Sequence, residues 1–84
     1  MLSKPEIGMR VCATHLDENF GSTLRSLEKL NNLHISARRA GATGRLMLQV
    51  EGFPLWLVQH DWSNDGPSVE ALGIYSEDEL EEAH

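Results

Sequence analysis

Four histidines and one cysteine are the side chains of this 84-residue chain best suited to metal or nucleophilic chemistry. Their spacing does not make a zinc centre. Cys12 and His15 stand three apart, and His34, His60 and His84 are scattered beyond them. Structural zinc sites use paired spacings such as Cys-x-x-Cys or His-x-x-x-His, which place two ligands on one turn. No metal ligand and no cofactor is expected. His60-Asp61 followed by Ser63 has the composition of a hydrolytic triad, but neighbours in a strand point to opposite faces. The Gly-x-Ser-x-Gly turn that exposes a nucleophilic serine is absent. Cys12 stands in an alternating stretch, where a lone cysteine behaves as a small buried hydrophobe. Only Arg10 is close enough in sequence to activate it. A non-enzymatic protein with no catalytic residue is expected.

Gly41-Ala-Thr-Gly44 is too short for a phosphate loop, which needs Gly-x-x-x-x-Gly-Lys-Ser/Thr ahead of a helix. It reads as a tight turn flanked by Arg38, Arg39 and Arg45. Guanidinium groups pair with phosphate through two parallel hydrogen bonds, so these three are the candidate nucleic-acid-binding residues. Trp56, Trp62 and Tyr75 could offer stacking platforms for single strands. RNA is the alternative partner on this ground. Duplex DNA is not expected, because the chain carries a net charge of −6 and a nucleic-acid domain is normally basic.

The charge is divided unevenly. Residues 1–45 hold seven cations and four acids, a net +3, whereas residues 46–84 hold nine acids and no cation, a net −9. The plainer consequence is that the halves pack together and neutralise each other, leaving an acidic last turn in water. The other is a surface with an acidic pole that attracts a basic protein. Five acids fall within residues 77–82. The candidate partner-binding residues are therefore Glu77, Asp78, Glu79, Glu81 and Glu82, with Asp65 in the preceding loop. Trp62 and Tyr75 are the candidate aromatic anchors beside them.

The elements that must position these groups follow from periodicity. Ile7, Met9, Val11 and Ala13 alternate with polar neighbours, which predicts a strand over 7–14. Leu16, Phe20, Leu24, Leu27 and Leu30 recur at steps of three and four, which predicts a helix over 16–31. The period returns to two at Leu33, Ile35, Ala37 and Arg39, predicting a strand. The turn at 40–44 separates it from a strand with Leu46, Leu48 and Val50 on one face. Residues 55–62 read as a central apolar strand, and residues 69–75 as a further strand broken by Gly73. Ser76 with Glu79 three on has the form of a helix start. One cysteine permits no internal disulfide, and no apolar run is long enough to cross a membrane. The first residues lack the apolar stretch of a secretory signal, so a cytoplasmic, membrane-free protein is expected.

Three stretches, Ile35 to Leu46 with its Gly-x-x-Gly turn, Leu55 to Trp62, and Gly73 to Leu80, resemble a small SH3-like barrel of the KOW type over residues 33–82. With the strand over 7–14 and the helix over 16–31 added to it, the expected fold is α+β over a single domain, residues 1–84. One N-terminal strand and one helix would pack on a small, partly closed antiparallel barrel. Such modules bind RNA, proteins or peptides and seldom catalyse. In size and charge the chain is also similar to small acidic inhibitors from phages and other mobile elements, the anti-CRISPR kind among them. These act on host nucleic-acid machinery by imitating a line of phosphates. The expected role is a protein-interaction module, an inhibitor or adaptor, acting through its acidic surface.

Overall fold

The alternating segments assemble into one antiparallel sheet. The computed structural model describes residues 2–17, 32–50, 52–61 and 71–83. In chain order these form β1 (Arg10–Ala13), a helix α1 (Asn32–Ser36), β2 (Thr43–Gln49), β3 (Leu55–His60), β4 (Leu72–Ser76), a 3-10 turn (Glu77–Glu79) and β5 (Leu80–Glu82). The strand order is β4-β3-β2-β1-β5, every pair antiparallel. Among the described residues the architecture is thus all-β in character, not the expected α+β with a substantial helix. The helix expected over 16–31 falls almost wholly outside the described residues. Leu16 and Asp17 are described, and their backbone is irregular.

The sheet is open, yet it must curl sharply. β4 and β5 are its two edges, but only the 3-10 turn separates them in the chain. In a flat five-stranded sheet four inter-strand spacings would put them about 19 Å apart. The four peptide steps from Ser76 to Leu80 span at most about 14 Å when fully extended, and less through a 3-10 turn. The edges are therefore drawn together. The concave face closes on Val11, Ala13, Leu46, Trp56, Val58, Tyr75 and Leu80, with Leu2 and Ala42 filling in.

A second apolar cluster lies on the other face. Leu55 and Ile74 are buried there against Ile35 of α1, with Val50 and Leu57 at its margin. This explains why the chain here forms a short helix, Asn32–Ser36, followed by a turn, and not the expected strand. In a strand Ile35 and Arg38 would point to opposite faces; here the turn after the helix, with Arg38 N–H donating to the Ile35 carbonyl at 3.3 Å, brings them to one. Here both are directed at β4, Ile35 into this cluster and Arg38 onto the Ile74 carbonyl.

Three other departures have local causes. The register of β2 against β3 shifts between Leu46 and Leu48. Leu46 stays in the concave core, while Leu48 comes opposite Leu57 on the convex side and is exposed. A bulge inserts a residue and so breaks the alternation of Leu46, Leu48 and Val50. At the other end, Met9 N–H donates to the Glu6 carbonyl (3.1 Å) across a turn that Gly8 closes at φ +89°. Ile7 is thereby lifted out of the expected strand and is 73% exposed. Gly73 lies inside β4 and does not break it. A Cβ there would stand 2.7 Å from His60 Cε1 and 2.8 Å from Tyr75 Cε2, so two buried rings exclude any side chain. Likewise Gly44 belongs to β2 and not to the turn; its Cβ would stand 2.2 Å from the Gln59 carbonyl oxygen.

Candidate interaction surface

The expected site residues divide into buried and exposed groups. Glu79 is only 1% exposed, so it does not belong to a solvated acidic turn. Its Oε2 accepts from Arg38 Nη2 and from the Asp17 N–H (2.8 Å), and its Oε1 from the Ser76 N–H (3.0 Å). Arg38 is buried too, and its Nη1 donates to the Ile74 carbonyl at 3.0 Å. A buried ion pair of this kind is retained only where hydrogen bonds satisfy the remaining atoms. Arg38 is consequently removed from the expected nucleic-acid surface.

Tyr75 is fully buried, which corrects its expected place as an exposed anchor. The Arg38 guanidinium lies 5.5 Å from its ring centroid. Its hydroxyl accepts from the Arg39 N–H (2.9 Å) and stands 2.7 Å from Nε2 of His60, itself buried. Burial, the largest influence, pushes the phenol above its ordinary pKa. His60 packs against Tyr75 edge-on, ring centroids 5.7 Å apart, and Ser63 lies outside the described residues.

The remaining arginines do not converge with Arg38 on one patch. Arg39 is exposed, but its Nη1 caps the end of α1 through the carbonyls of Ser36 (2.7 Å) and Arg38 (2.8 Å). Arg45 is exposed on β2 and donates to the Gly8 carbonyl at 3.0 Å. It stands opposite Arg10, whose charge is met by Asp61 at 2.7 Å. The Thr43 hydroxyl (2.6 Å) is the foremost cause holding the Asp61 carboxyl below its usual range, with Arg10 next. Arg38–Glu79 and Arg10–Asp61 both join a cation of the first half to an acid of the second. Cys12 is half-buried between Thr43 and Glu81 in the sheet register. Among the described residues no group of three metal-ligating side chains converges. No helix among them is long and apolar enough to cross a membrane.

What faces solvent is a different combination from the expected one. Trp62 and Asp65 lie outside the described residues. Asp78, Glu81 and Glu82 are exposed, and Glu77 is half-buried. Beside Glu77 the β2–β3 connection carries Phe53, 45% exposed, and Pro54. Gln49, Gly52, Phe53, Pro54 and Glu77 together line a surface groove. Its walls are tied to each other. Glu77 N–H donates to the Pro54 carbonyl (3.0 Å), and Trp56 Nε1 donates to Glu77 Oε1 (3.1 Å). Gln49 Nε2 holds the Phe53 carbonyl at 3.2 Å. At Gly52, φ +84°, no atom of the described residues lies within 4 Å of where a Cβ would be. Exposed Met47 and Leu48 extend the apolar character along β2. Sequence reasoning missed Phe53 because it sits in a turn. A signal existed: an aromatic in a Gly-Phe-Pro turn has no cross-strand partner to cover it.

Comparison with known proteins gives no relative: no family model, no curated protein and no solved structure matches the chain.

Proposed function

We propose that the protein is a small, non-enzymatic interaction module that binds a protein segment carrying apolar and basic side chains. The observation that carries this reading is the exposed Phe53 and Pro54 set against Glu77 in a groove with tied walls. Aromatic residues in preformed pockets supply most of the affinity at interfaces, and flanking charges select and orient the partner. Trp56 occupies one oxygen of Glu77 and leaves the second as an acceptor for a lysine or arginine. Asp78, the next residue, is exposed and adds to the field. Among the described residues, buried Arg38 and Glu79 are used in holding the β4 edge, which supports a binding role over a catalytic one.

The SH3-like reading of the fold is supported by the strand order. A meander β1-β2-β3-β4, a 3-10 turn and a final strand returning to β1 would close into a partly open barrel with little further bending. Such a scaffold seldom acts as an enzyme, though fold alone assigns no function. A library of short basic peptides screened against the wild-type protein and Phe53→Ser tests the proposal. Binders that prefer the wild type by about tenfold or more are expected, equivalent to about 1.4 kcal/mol. Equal retention by both proteins would remove Phe53 from the site.

A further inference from the structure

We infer that Trp56 makes the Phe53 groove select lysine over arginine in its partner, a choice that rests on this groove being the binding site. Glu77 has little freedom there. Its N–H donates to the Pro54 carbonyl (3.0 Å), and its carbonyl accepts from the N–H groups of Leu2 (3.3 Å) and Leu80. Its Oε1 accepts from Trp56 Nε1 at 3.1 Å. The indole is fixed in turn. Trp56 is buried in the concave cluster, and its backbone lies in β3 between Gln49 of β2 and Tyr75 of β4. Among the described residues Oε2 of Glu77 has no hydrogen-bond or ion-pair partner. The carboxylate therefore offers a ligand one open oxygen, the other being taken.

The two basic side chains use a carboxylate differently. A guanidinium is planar, and its strongest pairing sets two parallel N–H donors against both oxygens. At Glu77 that fork would have to share Oε1 with the indole or displace it. Displacement strips Trp56 Nε1 of its acceptor, and a donor left unmade beside the core carries its full desolvation penalty. An arginine confined to Oε2 keeps a single bond and forgoes the second. An ammonium loses nothing by the same restriction, because it is a point charge with rotatable donors and one oxygen suits its geometry. Its methylene stem can lie along Phe53 and Pro54, which line the groove with Glu77, while the charge stays at the wet margin. Arginine has one compensation, stacking of its plane on the Phe53 ring. That gain is the same with or without the indole, so it does not alter how the preference depends on Trp56.

The test uses the whole protein and two blocked hexapeptides, one alternating leucine with lysine and the other leucine with arginine. The wild type should bind the lysine peptide about threefold more tightly or better, the scale of one exposed charged contact. In Trp56→Phe, which frees Oε1, that ratio should fall to about one or below. A second measurement needs no variant and serves where Trp56→Phe does not fold. The Trp56 indole N–H should exchange no faster in the lysine complex than in the free protein, because lysine leaves its bond to Oε1 intact. An arginine peptide bound equally or more tightly by the wild type would overturn the inference. So would an unchanged ratio in folded Trp56→Phe, or an indole proton that exchanges faster once the lysine peptide is bound. Phe53→Ser separates this outcome from that of the groove itself. Binding that is lost in Phe53→Ser but shows no lysine preference ends the selection and keeps the groove. Binding indifferent to Phe53→Ser, or none at all, ends both.

Discussion

Arg38 and Glu79 together stand in for an outer neighbour of β4, which has none among the described residues. Arg38 Nη1 donates to the outward carbonyl of Ile74, and Glu79 Oε1 accepts from the outward N–H of Ser76. A neighbouring strand would offer the same alternation of donor and acceptor along that edge. The same two side chains are ion-paired with each other, so the edge is sealed by a closed polar unit. Glu79 extends the seal to the Asp17 N–H, which ties the segment after β1 to the far end of the sheet.

Removing one partner should therefore cost far more than removing both. Glu79→Ala removes the carboxylate paired with the buried Arg38 guanidinium, and about 3–5 kcal/mol is expected from comparable pairs. For a domain of this size that is a large share of the whole. The double change Arg38→Met with Glu79→Leu should cost less than the sum of the single changes. It should not be neutral, since the Ile74 carbonyl and Ser76 N–H lose their partners at about 1–3 kcal/mol each. Urea unfolding of the three variants at low temperature measures the coupling. Simple additivity would mean that the pair does not act as a unit.

Gly44 and Gly73 should be intolerant for different reasons. Gly44→Ala drives a methyl into a carbonyl oxygen of the adjoining strand, which cannot swing aside. Displacement of β2 from β3 and a loss above about 2 kcal/mol are expected. Gly73→Ala presses instead on the rings of His60 and Tyr75. Its signature should be a disturbed environment for the single tyrosine in near-ultraviolet circular dichroism. Near-wild-type melting of either variant would contradict the packing described for that glycine.

Much of the sheet was legible: Val11 and Ala13 are buried as their period of two requires, and the apolar run from Leu55 contains β3, buried at Leu55, Trp56 and Val58. Legibility ended where a residue's surroundings come from distant sequence. Leu33 to Arg39 alternates as a strand would, yet Arg38 is drawn inward by Glu79, 41 residues on. The acids at 77–82 look alike in sequence. One is buried by its salt bridge, one is held by Trp56, and the others face water. Nothing in a run of acids shows which will find a buried cation. The bulge at Leu46–Leu48 likewise depends on β3 and has no signature in β2 itself.

Tyr75 gives the protein an alkaline limit. Unfolded, the phenol ionises near about 10; folded, burial raises that value. As pH rises the unfolded chain loses its proton first. The contribution to stability is thus complete below about pH 10 and is lost between there and the raised folded value. Tyrosinate absorbance, which reports this residue alone because it is the only tyrosine, should rise together with unfolding. Tyr75→Phe should remove that dependence while lowering stability at neutral pH, since the hydroxyl's contacts with Arg39 N–H and His60 Nε2 are lost. Ionisation at the ordinary value in the folded protein would contradict its burial.

At the acid end Asp61 acts with the opposite sign. Its folded pKa is lowered, first by the Thr43 hydroxyl and then by Arg10. Its contribution is present above the unfolded value of about 3.9 and is lost as pH falls through the lower folded one. Both members of the Arg10–Asp61 pair are about two-fifths exposed, so solvent screening should hold the effect below about 1 kcal/mol. Asp61→Asn should flatten the stability profile below about pH 4 and change little at neutrality. An unchanged acid limb in that variant would assign the acid sensitivity to other carboxylates.

The Phe53 groove makes a kinetic expectation for any basic peptide that the protein captures. Phe53 and Pro54 are exposed but fixed, because Gln49 and Glu77 hold their carbonyls. Little ordering is then needed on binding, and truncating an apolar anchor acts chiefly on the dissociation rate. Phe53→Ala should speed dissociation about tenfold or more with a near-constant association rate. Asp78 is exposed and makes its contribution through its field. Asp78→Lys should instead slow association, and the difference from wild type should shrink as salt rises from about 50 to 300 mM and the screening length falls below about 10 Å. Glu77→Gln differs from both. It keeps the acceptor for Trp56 Nε1 and so the wall of the groove, while removing the charge that a lysine or arginine would meet. It should therefore weaken basic peptides and spare the same peptides with norleucine in place of the basic residue. Surface plasmon resonance across a salt series separates the three effects. A Phe53→Ala variant with unchanged dissociation, or a Glu77→Gln variant equally weak toward both peptide types, would place the binding face elsewhere.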